Sequence, residues 1–214
     1  MALKRQGPST IAQLADELQL TGEAVRQQLL QLQREGWIES RVTRSAERGR
    51  TGRPATSYRL TDAGDHLFPK QYEALSVALI DAVHDELGEA AAKKVLSQIA
   101  DVKVATVEPP LRGLTIPDRV QALKDWYMKD DPHMQVEQVE DGYRLVERNC
   151  PFITTAMNRP NICSVSVNAL SKVLGVRVAR DERFQDGGGR CVFHIYVNEP
   201  IDPKTQEFKL ESEI

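Results

Sequence analysis

Residues 9–37 read "STIAQLADELQLTGEAVRQQLLQLQREGW" and contain two apolar repeats with the spacing of an α-helix. The apolar positions of the two repeats are Ile11, Leu14, Ala15 and Leu18, then Val25, Leu29 and Leu32. This spacing predicts two short amphipathic helices. Ser9 or Thr10 can cap the first helix, Thr21 can cap the second, and Gly36 can end it. Two helices joined by about three residues are typical of a helix-turn-helix.

The second predicted helix carries the side chains expected of a recognition helix. In a helix-turn-helix, the first residues of this helix enter the major groove of DNA. Arginine and glutamine side chains can reach base edges or phosphates from that position. The candidate DNA-binding residues of this helix are Thr21, Glu23, Arg26, Gln27 and Gln28.

A basic hairpin follows this helix. "WIESRV" and "TSYRL" predict two strands, and residues 41–60 around the intervening tip contain six arginines and one glutamate. The planar guanidinium pairs well with phosphate and fits a narrow minor groove. A hairpin after a helix-turn-helix is the arrangement of a winged helix, although a solvated loop is the alternative. The candidate phosphate contacts are Arg48, Arg50 and Arg53.

The charge of the chain is divided between its ends. Residues 1–60 hold ten basic and six acidic side chains, a net charge of +4 within a chain whose total is -3. The other 154 residues therefore carry -7. Charge distribution matters more than total charge for binding nucleic acid, so the basic end favours double-stranded DNA as a partner.

The middle of the chain, residues 62–107, is helical in pattern, with Gly88 as its main breaker. One apolar stripe runs through Tyr72, Leu75, Leu79, Val83 and Leu87. The stripe can pack inside its own domain or against the same helix of a second chain. Reading an inverted-repeat operator requires two-fold symmetry, which favours a dimerisation helix and a homodimer. "EPPLRGLTIP" marks a boundary near residues 108–117.

The last part predicts a small α+β domain with the order β-β-α-β-β. One hairpin turns at Asp141 and Gly142, another turns within residues 186–189, and "SVSVNALSKVLGV" predicts the helix between them. The expected fold class is therefore α+β with three parts. These parts are a winged helix-turn-helix domain at 1–68, a helical linker and dimerisation region at 69–132, and a cysteine-containing domain at 133–214.

All three cysteines lie in this last domain: Cys150 at a strand end, Cys163 before the helix, and Cys191 after a glycine run. The chain shows no apolar signal segment and no run of about 18 apolar residues, so we expect a cytoplasmic protein with reduced thiols. Such thiols are candidate metal ligands or redox groups. The 12 and 27 intervening residues do not match the close spacing of zinc ribbons, and three ordinary buried cysteines remain the alternative.

Several stretches resemble the SufR group of bacterial winged-helix repressors. "EAVRQQLLQLQREGWIE" is similar to the group's recognition helix, and "GRPATSYRLTDAGDHLFPKQY" is similar to its wing and following helix. The three cysteines match in their intervals and in their "NCP", "P-x-x-C" and "G-x-C-x-F" contexts, so the likeness spans Ile11 to Val197. The group has a full helix before "GPST", where this chain has only Met1 to Gly7, which predicts a short or missing first helix.

The resemblance implies a dimeric transcriptional repressor of cluster-assembly genes. It implies an iron–sulfur cluster, 4Fe-4S in preference to 2Fe-2S, bound by Cys150, Cys163 and Cys191, whose status sets DNA affinity. A fourth ligand is not evident. His194 lies at an odd offset from Cys191 on a predicted strand and should face the other way. His133, water or a small thiol are the other candidates.

The sequence also bears on two other functional classes. The three thiols can bind zinc or act as a direct redox switch in the same DNA-binding protein. An enzyme has little support, because no nucleophile and base stand at a familiar spacing. "DGGGR" leads into a predicted strand rather than a helix, so it is not a dinucleotide-binding fingerprint.

Overall fold

The computed structural model describes residues 1–43 and 55–213. The chain divides into two compact units, Met1–Gln71 and Tyr72–Ile214. Each unit contains helices and one small antiparallel sheet, so the predicted α+β class is confirmed. Within the described ranges, no helix is long and apolar enough to cross a membrane.

The first unit is built on the helix pair of residues 9–37. Its elements are α1 (Ala2–Gln6), β1 (Ser9–Thr10), α2 (Ile11–Leu18), α3 (Gly22–Arg34), β2 (Ile38–Thr43), β3 (Ala55–Leu60) and α4 (Asp62–His66). The sheet order is β1-β3-β2, with both pairs antiparallel. Leu14, Val25, Leu29 and Ile38 are buried together between the helices and the sheet, so the apolar stripes form this unit's core.

Side-chain caps set where α2 and α3 begin. The Thr10 hydroxyl accepts a bond from the backbone N–H of Gln13, and the Gln13 side chain accepts one from the Thr10 backbone N–H. The Thr21 hydroxyl accepts a bond of 3.2 Å from the backbone N–H of Ala24. These bonds satisfy N–H groups that have no partner within the helix. Thr10 and Thr21 are therefore the caps that the sequence predicts.

The second unit combines a four-stranded sheet with several helices. Its elements are α5 (Tyr72–Val107), α6 (Ile116–Tyr127), β4 (Gln135–Val139), β5 (Gly142–Glu147), α7 (Ile153–Asn158), α8 (Ser164–Leu174), β6 (Val176–Glu182) and β7 (Cys191–Pro200). The sheet order is β4-β5-β7-β6, and all neighbours are antiparallel. Helix α8 packs against β6 on one side and α5 on the other. The order β-β-α-β-β is present, with α7 as an additional short helix.

Helix α5 is divided at Gly88, whose φ of 81° and ψ of 171° are not helical. After this kink, Leu96, Ala100 and Val107 are buried in the unit's core. Before it, the apolar stripe lies at the surface, with Tyr72, Leu75, Leu79 and Leu87 each more than half exposed. The two halves of α5 therefore have different surroundings within the part of the chain that the structure describes.

The segment after β7 packs back on α8. Phe208 and Leu210 are buried beside Leu96, Val165 and Ala169. The Asn168 amide donates to the Lys209 carbonyl at 2.8 Å, and its oxygen accepts from the Lys209 N–H at 3.1 Å. Residues 201–213, called the C-terminal tail below, are thus held by a reciprocal pair of hydrogen bonds.

Candidate metal centre

The three cysteines lie around one small cavity in the second unit. Cys150 follows β5, Cys163 ends a short 3-10 helix at Pro160–Cys163, and Cys191 begins β7. The cavity has a volume of about 20 Å³. Its other walls are Glu147, Phe152, Ile153, Ala156, Ile162, Ser166, Arg180, Phe184 and Gln185. Three thiols that are far apart in sequence therefore line one cavity, whose other walls are both apolar and charged.

Asp131 positions the loop that carries Cys150. Its buried carboxylate accepts hydrogen bonds from the backbone N–H groups of His133 at 3.0 Å, Arg148 at 2.6 Å and Asn149 at 3.0 Å. Burial by itself raises the pKa of the Asp131 carboxyl, but these N–H donors outweigh it and hold the pKa below its usual value. The carboxylate form therefore stabilises the turn immediately before Cys150.

We expect Asp131→Asn to lower the free energy of unfolding by about 2–3 kcal/mol at neutral pH. The amide loses the charge-assisted bonds, and its own NH2 group would face the backbone N–H donors. Because the pKa of Asp131 is lower in the folded chain than in the unfolded one, its carboxylate stabilises the fold at pH values above the unfolded pKa of about 3.9. This contribution is lost as the pH falls through the folded pKa. Chemical denaturation at pH 7 and pH 3 should show a smaller difference at pH 3. Asp130→Asn, at the exposed neighbouring position, is the control and should change little. Equal losses for both variants would contradict this role.

Cys163 is held by neighbouring polar groups. The Gln185 amide donates to Cys163 Sγ at 3.4 Å and to the Ala156 carbonyl at 3.1 Å. The Gln185 Oε1 atom is buried and has no hydrogen-bond partner among the described residues. The Arg180 guanidinium donates to the Cys163 carbonyl at 3.0 Å. Gln185 thus directs an N–H donor at the sulfur of Cys163, and Arg180 holds the Cys163 backbone.

Burial favours the protonated form of the Cys150 and Cys191 thiols. Burial raises the pKa of the Cys150 thiol to about 11, the negative charge of Glu147 adds to this effect, and the backbone N–H of Phe152 opposes it. Burial likewise raises the pKa of Cys191, while Arg180 and the Phe184 N–H act in the other direction. N–H donors near sulfur favour the thiolate, the form that binds metals. Metal binding here therefore requires the release of protons.

Two cations and two carboxylates flank the cavity. Arg180 Nε pairs with Glu211 of the C-terminal tail at 3.1 Å, and its side chain is only 4% exposed. Lys103 Nζ donates to the Ser166 hydroxyl at 3.1 Å, and burial lowers the pKa of this lysine. Burial raises the pKa of Glu147, while Lys103 and Arg180 oppose the shift. Sequence patterns did not indicate these charged residues, since Arg180 lines the cavity and Lys103 bonds to its wall residue Ser166 only in the folded chain.

His194 and His133, the two candidate histidines for a fourth ligand, do not line the cavity. His194 Nε2 is 2.8 Å from Asp141 Oδ1, its Nδ1 is 3.3 Å from Asp181 Oδ2, and its ring stacks on Tyr196. His133 is exposed. The predicted orientation of His194, opposite to Cys191 on β7, agrees with these contacts.

The donor set suits a thiophilic metal group, because three sulfurs and nearby N–H donors are the usual surroundings of iron–sulfur clusters. A cavity of about 20 Å³ holds roughly one water molecule. Among the residues that the structure describes, no three His, Cys, Asp or Glu side chains are close enough together to hold a metal ion. Because a cavity of this size is smaller than an iron–sulfur cluster, binding a cluster would require the walls of the cavity to move.

A larger apolar cavity of about 820 Å³ lies on the other side of the same segment. Its walls include Leu79, Ile80, Val95 and Ile99 of α5, together with Phe152 and Ile162. Since Phe152 and Ile162 also line the cysteine cavity, residues 152–162 separate the two cavities. If this segment moved outward, the larger cavity would provide space for it.

The predicted recognition residues lie at the exposed start of α3 in the first unit. Gln27 Nε2 donates to Glu23 Oε1 at 2.8 Å, and Arg26 Nε lies 3.5 Å from Glu23 Oε2. Thr21 caps the helix and Gln28 is exposed. The wing candidates Arg48, Arg50 and Arg53 fall in residues 44–54, outside the described residues.

No family model matches this chain, and a search of curated proteins found no significant match.

Proposed function

We propose that this chain is a DNA-binding transcriptional regulator, a repressor of cluster-assembly genes, that responds to iron–sulfur status or oxidative stress. The main support is that Cys150, Cys163 and Cys191 come from three separate segments and line one cavity. Three ordinary core cysteines have no reason to share a cavity with buried charges.

Cys150, Cys163 and Cys191 would hold an iron–sulfur cluster, 4Fe-4S in preference to 2Fe-2S. The bound group would supply a centre that is sensitive to oxidants and to iron supply. Gln185 and the backbone N–H groups of Phe152 and Phe184 would direct donors at the ligand sulfurs. Such donors orient ligands and tune their basicity.

Direct contacts join the cysteine segments to α5. Arg159, between Cys150 and Cys163, pairs with Asp81 in the first half of α5, and one of these bonds measures 2.6 Å. Lys103, in the second half of α5, bonds to Ser166 of the helix that Cys163 precedes. A shift of residues 151–163 would therefore act on α5 on both sides of its kink, as switching elements with two arrangements do.

The exposed stripe on the first half of α5 supports a homodimer. Tyr72, Leu75, Leu79 and Leu87 present neighbouring apolar side chains on a helix that directly follows the DNA-binding part of the chain. An isologous contact between two such helices would give the two-fold symmetry of an inverted-repeat operator.

The first unit supports the DNA-binding part of the proposal. Its order of helix, strand, two helices and two paired strands, with sheet order β1-β3-β2, supports a winged helix. The exposed start of α3 would enter the major groove, and Arg48, Arg50 and Arg53, which lie between β2 and β3 in sequence, would contact phosphates.

Anaerobic purification tests the cofactor. We expect a brown protein with a visible absorption band and with iron and acid-labile sulfide in at least stoichiometric amounts. The small cavity favours the second candidate, a zinc-binding or thiol-switch regulator. Zinc in place of iron, or a metal-free protein whose DNA binding changes on thiol oxidation, would establish that alternative instead.

Gln27 and Gln31 allow a matched test of the recognition helix. Each donates its amide to a glutamate four residues away, Gln27 to Glu23 at 2.8 Å and Gln31 to Glu35 at 2.9 Å. Gln27→Ala should cost about 1–3 kcal/mol of operator binding and spare random DNA, because it lies where bases are read. Gln31→Ala, one turn further on, should have a smaller effect. Electrophoretic mobility shifts measure both, and equal losses on operator and random DNA would contradict a base contact.

A further inference from the structure

Glu147 is a buried carboxylate at the cysteine cavity. It ends β5, lines the same cavity as the three cysteines, and is 8% exposed. The cavity therefore presents four side chains of ligand type, three thiols and one carboxylate.

The register of the sheet places Glu147 beside Cys191. The two residues are direct partners in the antiparallel ladder between β5 and β7. Directly opposed residues project from the same face of a sheet, with Cβ atoms about 4.5–5.5 Å apart. Both side chains line the cavity for this reason, whatever their separation in sequence.

The carboxylate of Glu147 lacks the partners that a buried charge normally has. Among residues 1–43 and 55–213 it forms no hydrogen bond or ion pair. Lys103 and Arg180 exert an electrostatic attraction on it, but each is bonded elsewhere, Lys103 to Ser166 and Arg180 to Glu211. Buried carboxylates are costly unless they are paired or coordinate a metal.

We propose that the carboxylate of Glu147 is the fourth protein ligand of the iron–sulfur cluster. This inference rests on the proposed function, since it concerns the iron that Cys150, Cys163 and Cys191 leave without a protein sulfur. Oxygen ligands bind iron well, and a cluster of four irons normally has four protein ligands. Lys103 and Arg180 offset the charge of a donor set with four anions.

The wild-type protein tests this assignment directly. After anaerobic purification and reduction with dithionite, its electron paramagnetic resonance and electron–nuclear double resonance spectra are recorded in ordinary and ¹⁷O-enriched water. If Glu147 is the ligand, enriched water leaves the spectra unchanged and added dithiothreitol alters them only at high concentration. Broadening by ¹⁷O in the wild type would overturn the assignment in favour of water.

Two variants separate ligation from charge. Glu147→Gln should make the spectrum sensitive to ¹⁷O water and to dithiothreitol at concentrations about tenfold lower, because an exogenous ligand takes the open position. Glu182→Gln removes a carboxylate that pairs with Arg190 and does not line the cavity, so it should retain the wild-type response. An identical dithiothreitol response in Glu147→Gln and the wild type would overturn the assignment.

The outcomes distinguish this inference from the proposed function. If the wild type contains no iron, the proposed function fails and the assignment of Glu147 fails with it. If the wild type contains a cluster but water or thiol exchanges at it freely, only the assignment of Glu147 fails. Should Glu147→Gln not fold, the ¹⁷O measurement on the wild type still decides.

Discussion

Cys163→Ser is expected to yield a colourless protein whose affinity for operator DNA differs from that of the wild type. A serine hydroxyl is a poor iron ligand at neutral pH, and the loss of one of three sulfurs should lower cluster affinity by at least about tenfold. Cys163 also precedes α8, which packs on α5, so its segment links the cavity to the proposed dimerisation helix. Iron analysis and operator binding should therefore change together.

Ile153→Val is the control for this substitution. Ile153 lines the same cavity but supplies no ligand atom, so the variant should retain iron and operator affinity. Circular dichroism should show that the first unit stays folded in Cys163→Ser. A triple substitution of Cys150, Cys163 and Cys191 that left operator binding unaltered would contradict a sensor role for these residues.

Gly142→Ala is expected to destabilise the second unit by about 4 kcal/mol or more, a size reached only when a change forces the backbone to move. A Cβ atom at Gly142 would lie 1.9 Å from the Ile195 carbonyl oxygen and 3.2 Å from the Val197 nitrogen. Because these are backbone atoms of β7, β5 and β7 would have to separate. Thermal and chemical denaturation of the variant measure the loss.

Gly188→Ala is the matched glycine control. A Cβ there would make only an ordinary contact, 3.8 Å from Glu182 Oε2. We expect a change within about 0.5 kcal/mol, as for most surface substitutions. If Gly142→Ala were no less stable than Gly188→Ala, the close approach of the two strands would be refuted. Since β5 ends in Glu147 and β7 begins with Cys191, loss of this pairing should also reduce iron binding.

Local patterns were sufficient to predict most of the elements. The apolar repeat of residues 9–37 predicted α2 and α3, and Thr21 was identified as a cap because its hydroxyl can serve the adjacent backbone. The turn at Asp141 and Gly142 and the opposed directions of Cys191 and His194 followed from strand periodicity. Each of these features depends on residues close together in the chain.

The surroundings of the cysteines could not be predicted in the same way. Glu147 reaches the cavity through cross-strand register, Lys103 through the packing of α5 on α8, and Asp131 through bonds to a loop later in the chain. These contacts depend on tertiary structure, which periodicity does not encode. Helix α7 was missed because its few residues lie within a loop between two cysteines.

The C-terminal tail contains no cysteine, yet its Glu211 pairs with the arginine that lies beside the thiols. Glu211 pairs with Arg180 at 3.1 Å and with Arg183 at 3.0 Å, and the backbone N–H of Glu211 bonds to Ser164, next to Cys163. Proteolytic clipping after Pro200 would leave the Arg180 guanidinium without its carboxylate beside Cys163 and Cys191. An uncompensated cation favours the thiolate, so a clipped protein would be alkylated and oxidised faster than the intact one.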